Sequence, residues 1–176
     1  MDEPAARIAF LDFEACGLGP KSWPIEVGWA ILGGDAGATL IRPAPDWPIG
    51  AWDPRAEAIH GLSFEALVDG GVSCIEACDQ LEAAIGDADV YADAPAWDEF
   101  WLHQLYSAAR RRPSFRLLDF ARLMRPIAPG REAEIFVIAD GHSPRRHRAE
   151  ADARHLRALF LAARALAAGR EGASDA

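Results

Sequence analysis

The stretch FLDFEACGLG, residues 10–19, decides how this chain is read. Asp12 and Glu14 stand two positions apart in a run that is otherwise apolar and bulky. Side chains along a strand alternate between faces, so both acids point to the same side. Like charges side by side on an apolar strand cost free energy unless something offsets them. Residues 6–13 are apolar on both faces, which predicts a strand in the middle of a sheet.

Working outward, IEVGWAIL (25–32) and ATLIRP (38–43) read as two more strands, joined by the GGDAG turn into a hairpin. Residues 44–72 read as loop with short helices. VSCIEACDQLEAAIG (72–86) has helical spacing at Ile75, Cys78, Leu81 and Ile85 and stops at Gly86. DVYA (89–92) is a short strand, and Pro95 opens a helix that runs to about Arg111. Residues 115–124 carry a strand and a short helix, whereas AEIFVIA (133–139) fits neither period. A long helix spans about Arg148 to Ala168. Residues 170–176, REGASDA, read as a disordered tail after a single domain over 1–169. Three hairpin-type strands followed by alternating helices and strands predict an α/β fold, a mixed sheet flanked by helices.

A chain of 176 residues is long enough to bury a substantial core. No apolar run approaches the ~20 residues of a membrane span, and MDEPAAR lacks the basic region and apolar core of a signal peptide. The expectation is a cytoplasmic protein with no membrane contact, its oligomeric state not set by the sequence. Cys16, Cys74 and Cys78 have no zinc spacing and read as reduced core thiols. The formal net charge of −9 argues against charge-driven wrapping of duplex nucleic acid. It leaves room for a small site where divalent metals reverse the local sign. Lys21 is the only lysine; arginines cluster at 110–112 and at Arg145, Arg146 and Arg148.

Two further acids sit on apolar stripes. Trp101, Leu102, Leu105 and Ala109 follow Asp98 at helical spacing, so Asp98 belongs to the inward stripe at its first turn. Leu156, Leu159, Ala163 and Leu166 place Asp152 likewise in the last helix. A helix N-terminus favours an anion by only ~0.3–1 kcal/mol, against several kcal/mol for burying an ion. Asp12, Glu14, Asp98 and Asp152 are thus offered to the interior from three elements. If they converge, Mg²⁺ or Mn²⁺ is the natural partner, since hard cations take oxygen ligands. Two such ions can stabilise both the attacking and the leaving oxygen of a phosphoryl displacement. Asp93 beside Pro95 reads as a helix cap.

At these residues the chain resembles the DEDDh, or DnaQ-like, 3′–5′ exonucleases. FLDFEACGL is similar to that family's first motif, YADAPAWDEFWL (91–102) to the second at its aspartate, and HRAEADA (147–153) to the third, His-x₄-Asp. AIHGLSFEAL (58–67) is similar to a segment lining the terminal-nucleotide pocket. The second motif departs at Ala94, where the family often carries asparagine. The resemblance covers roughly residues 7–160.

The resemblance implies an RNase H-like fold with a five-stranded mixed sheet and two Mg²⁺ or Mn²⁺ ions on Asp12, Glu14, Asp98 and Asp152. It makes His147 the general base and puts His60 at the substrate; Gly17 and Leu18 beside the first motif, and Arg145 and Arg148 in the basic cluster, are expected to contact substrate as well. Five residues on a helix would turn His147 about 140° from Asp152, so His147 belongs in the loop before that helix. The implied activity is stepwise release of nucleoside 5′-monophosphates from single-stranded DNA or RNA 3′ ends. The alternative is a nucleic-acid or protein binding module that keeps the fold without turnover.

Overall fold

The computed structural model describes residues 7–174, with side chains to 169. Five strands form one sheet: β1 (Ile8–Ala15), β2 (Pro24–Ile31), β3 (Ala36–Leu40), β4 (Asp89–Ala92) and β5 (Leu117–Asp119). Their order is β3-β2-β1-β4-β5, so β1 is central, as its two apolar faces predict. β2 runs antiparallel to β1 and β3 antiparallel to β2, whereas β4 and β5 run parallel to β1. β1 extends to Ala15, so both Asp12 and Glu14 lie within it; residue 6, where the sequence reading began it, lies outside the described residues.

The helices are α1 (Pro54–His60), α2 (Phe64–Gly70), α3 (Cys74–Ile85), α4 (Pro95–Ala108), α5 (Phe120–Met124), α6 (Glu132–His142) and α7 (Ala149–Ser174). α3 and α4 cover the sheet face carrying Ala9, Leu11, Phe13 and Ala15. α7 covers the other face, where Phe10 meets Phe120, Leu156 and Phe160, and α6 packs on α7. Asp12 and Glu14 share the α7 face with Phe10. A third cluster, Trp23 and Ile25 with Leu62 and Leu67, seats α1 and α2, with Trp23 stacked on Trp47 at 5.5 Å.

Several expectations need correction. α3 buries Cys74, Ala77, Cys78, Leu81 and Ile85, while Ile75 is 55% exposed, so the inward stripe is rotated from the one its larger residues marked. α4 stops at Ala108 rather than about Arg111. The Arg111 and Arg110 amides donate back to the Tyr106 and Ser107 carbonyls, with Arg110 at φ 56 where glycine is usual. Residues 133–139 belong to α6, with Ile135 and Ala139 buried one turn apart. Asp93 does not cap α4: the cap position is Ala94, without a side-chain bond, and Asp93 pairs with Arg145 instead. α7 continues past Ala168 to Ser174, and residues 175–176 of the expected tail lie outside the described residues. The three cysteines are buried and free.

Candidate active site

The site forms where the C-terminal end of β1 meets the N-terminal turn of α7. Gly28 faces Asp12 across the β1–β2 ladder. A Cβ on Gly28 would overlap the backbone of Ala149 and Glu150. A mid-strand glycine here lets one backbone rest on another, which brings the first turn of α7 over Asp12 and Glu14. Asp152, 3% exposed, is thereby carried to the strand acids. Arg157 one turn and a half later donates to the Ile31 and Gly34 carbonyls at 3.0 and 2.9 Å, holding α7 along β2.

Donor atoms of Glu14, His147 and Asp152 lie within 4.8 Å of one another. Asp12, Glu14, His147 and Asp152 line a cavity of about 360 Å³ together with Gly17, Leu18, Ile59, His60, Trp101 and Arg145. Asp98 is 1% exposed and stands outside that wall, but its charge bears on Asp12. Asp12 is thus the acid on which Asp98, Glu14 and Asp152 all act.

Burial holds the Asp12 carboxyl well above the usual range, reinforced by Asp98, Glu14 and Asp152. Burial also raises Glu14 to about 8, with Asp152 and Glu26 adding and Arg148 and Arg145 opposing. Asp98 rises to about 7 through burial and then Asp93. Its Oδ2 has no hydrogen-bond partner. Oxygen donors that are costly to ionise alone, one of them orphaned, suit a hard divalent cation, which Asp12, Glu14 and Asp152 could hold.

His147 sits in the strap 143–148, exposed and at φ 53. The Arg146 amide donates to Asp152 Oδ1 at 2.7 Å. Arg145 pairs with Asp93, and Arg148 pairs with Glu26 at 2.6 Å. Both arginines assigned to substrate are thus engaged within the protein, Arg145 at the cavity and Arg148 behind it.

His60 ends α1, which stops at Gly61 in the left-handed conformation. Its Nδ1 accepts from the Leu62 amide at 3.0 Å, which leaves the proton on Nε2. Burial lowers its pKa, and Nε2 has no partner. A neutral, unpartnered donor therefore lies buried in the cavity wall. Gly17 packs against Ala51 and Asp53, where a side chain would crowd, and Leu18 projects at 76% exposure. Trp101 is pinned by a 2.9 Å bond from its indole to Ser22.

Glu26 and Gly28 escaped the sequence reading. Gly28 carried a usable signal, a glycine inside a strand; Glu26 carried none that was local.

No family model matches the chain, and no curated protein matches it by sequence. Solved structures do match. Exonuclease I from Methylocaldum szegediense superposes with a TM-score of 0.66 at 17% identity, over 92% of this chain and 41% of that one. E. coli exonuclease I in complex with a dT13 oligonucleotide gives 0.67 at 16% identity, over 97% and 43%. The same enzyme with a dA16 oligonucleotide gives 0.65 at 14% identity, over 88% and 40%. The fold is RNase H-like. This RNase H-like chain spans about two-fifths of the length of those exonucleases. No helix among its described residues is long and apolar enough to cross a membrane.

Proposed function

We propose that the chain is a metal-dependent 3′–5′ exonuclease of the DEDDh type that releases nucleoside 5′-monophosphates from single-stranded 3′ ends. The observation that carries this reading is the meeting of three buried or half-buried acids, Asp12, Glu14 and Asp152, with an exposed histidine at one cavity, while the charge of buried Asp98 bears on Asp12. A pure binding module has no use for acids that burial makes so costly to ionise. DNA is the favoured substrate, because the similar solved structures include exonuclease I bound to dT13 and dA16.

Divalent cations bound to these acids would supply charge neutralisation and Lewis acidity at the scissile phosphodiester. The protein's own groups do the rest. His147, whose side chain makes no hydrogen bond among the described residues, takes the proton from the attacking water. Asp152 keeps that strap close through the Arg146 amide. The Nε2–H of His60 offers a donor to the terminal nucleotide, and exposed Leu18 and Ile59 at the rim offer apolar contact to its base. The cavity is small beside a duplex, which favours a single frayed end.

Polarity tests the reading. With Mg²⁺ or Mn²⁺, a 5′-labelled linear oligonucleotide should shorten stepwise from its 3′ end and release mononucleotides, and chelation should stop the reaction. A circular single strand degraded as fast as the linear one would sink the exonuclease reading.

A further inference from the structure

The proposed reaction needs His147 and Asp152 held against Asp12 and Glu14, and the side chain that joins the two groups is not itself at the cavity. Glu26 is 2% exposed and stands directly opposite Glu14 in the β1–β2 ladder. Like charges in that relation repel. The conflict is resolved by a division of labour. Glu14 lines the cavity, whereas Glu26 spends both oxygens on α7 and the residue before it. Its Oε2 accepts from the Ala149 amide at 2.9 Å and from Arg148 Nε at 3.1 Å, and its Oε1 accepts from Arg148 Nη2 at 2.6 Å. It thereby caps a long helix from a neighbouring strand, satisfying an amide that has no partner within the helix.

This clasp sits one residue from His147. On one side of His147, the Arg146 amide is tied to Asp152; on the other, Arg148 and Ala149 are tied to Glu26. His147 is the link between two anchors, and its left-handed backbone is a conformation that surrounding structure must impose.

We propose that Glu26 is a positioning residue: through Arg148 and Ala149 it holds residues 146–148 so that the His147 imidazole faces Glu14 and Asp152. This rests on the exonuclease reading of the same site. Glu26→Gln keeps an oxygen for the Ala149 amide and loses the ionic hold on Arg148; Glu26→Ala loses both.

In the full chain, Glu26→Gln should lower kcat on a single-stranded oligonucleotide at least ~10-fold while KM moves less than about threefold. Added to His147→Ala, the same change should cost less than about twofold more, because no imidazole remains to be positioned. Hydrogen exchange gives a readout that needs neither substrate nor metal. In Glu26→Ala, the Arg146 amide should exchange at least ~10-fold faster along with that of Ala149, although Glu26 bonds only the latter. Should Glu26→Ala fail to fold, Glu26→Gln gives the readout at the Arg146 amide alone, since it keeps an acceptor for the Ala149 amide. Multiplicative losses in the double variant, or an Arg146 amide exchanging at the wild-type rate, would overturn the clasp. A wild type that leaves DNA intact but shows the coupled exchange would overturn the exonuclease reading and leave the anchoring intact.

Discussion

His147→Ala is expected to lower kcat by about 10²–10⁴-fold, the scale of a lost general base. The variant should keep its fold, because the side chain is exposed and holds nothing in place. Mn²⁺ should still raise its melting temperature if the imidazole acts on water; loss of that response would make His147 a ligand in company with Glu14 and Asp152. Two other histidines serve as controls. His142 is exposed, with Nδ1 2.7 Å from the Ile138 carbonyl, so its removal should be mild. His155 is 1% exposed, with Nδ1 2.7 Å from the Ser143 carbonyl, so its removal should lower stability more than turnover per folded molecule. Equal losses of kcat in all three variants would discard His147 as the base.

Asp12→Asn should stabilise the metal-free protein and erase most of its response to metal. Asp12 is buried among Asp98, Glu14 and Asp152, so its charge is opposed by burial first and by those neighbours next. The direction with pH follows from linkage. Glu14 titrates at about 8 in the folded protein against 4.5 ordinarily, and Asp98 at about 7 against 3.8. The folded state binds more protons than the unfolded state across that window, so stability falls as pH rises through it. Without metal, the wild-type melting temperature should therefore drop between about pH 5 and pH 8, and that of Asp12→Asn should drop less. A cation that binds only the folded state stabilises it by RT ln(1 + [L]/Kd), about 1.4 kcal/mol at ten times Kd. That is worth a few degrees in a domain of this size. Mn²⁺ should thus raise the wild-type melting temperature at pH 8, whereas monovalent salt at matched ionic strength should not. Wild type and Asp12→Asn rising alike would mean that these carboxylates form no common metal site.

Much of this architecture could be read along the chain because it is written in short-range periods. Two acids at strand spacing mark the site end of β1, and Asp98 and Asp152 announce themselves at the heads of apolar helical stripes. The failures have physical causes of two kinds. In α3 the small residues Cys74 and Ala77 face inward and Ile75 does not, because close helix–sheet packing rewards fit over size. In α6 the outward face carries Phe136 and Val137, which hides the period of Ile135 and Ala139.

The second kind is tertiary. Glu26 looks like any strand acid until the β1–β2 register sets it against Glu14 and α7 arrives above it. Asp93 borders a helix start, yet the arginine that claims it comes from the strap more than fifty residues later. Neither partner can be foreseen from local sequence.

The contact at Gly28 also bears on which parts of the molecule can move during turnover. Side-chain interfaces slide by changing rotamers, but α7 rests there on bare strand backbone and has no rotamers to change. The helix and the strand are geared together, and Asp152 with them. On the exonuclease reading proposed above, the acids then form a stationary anvil, with His147 clamped beside it through Arg146 and Arg148.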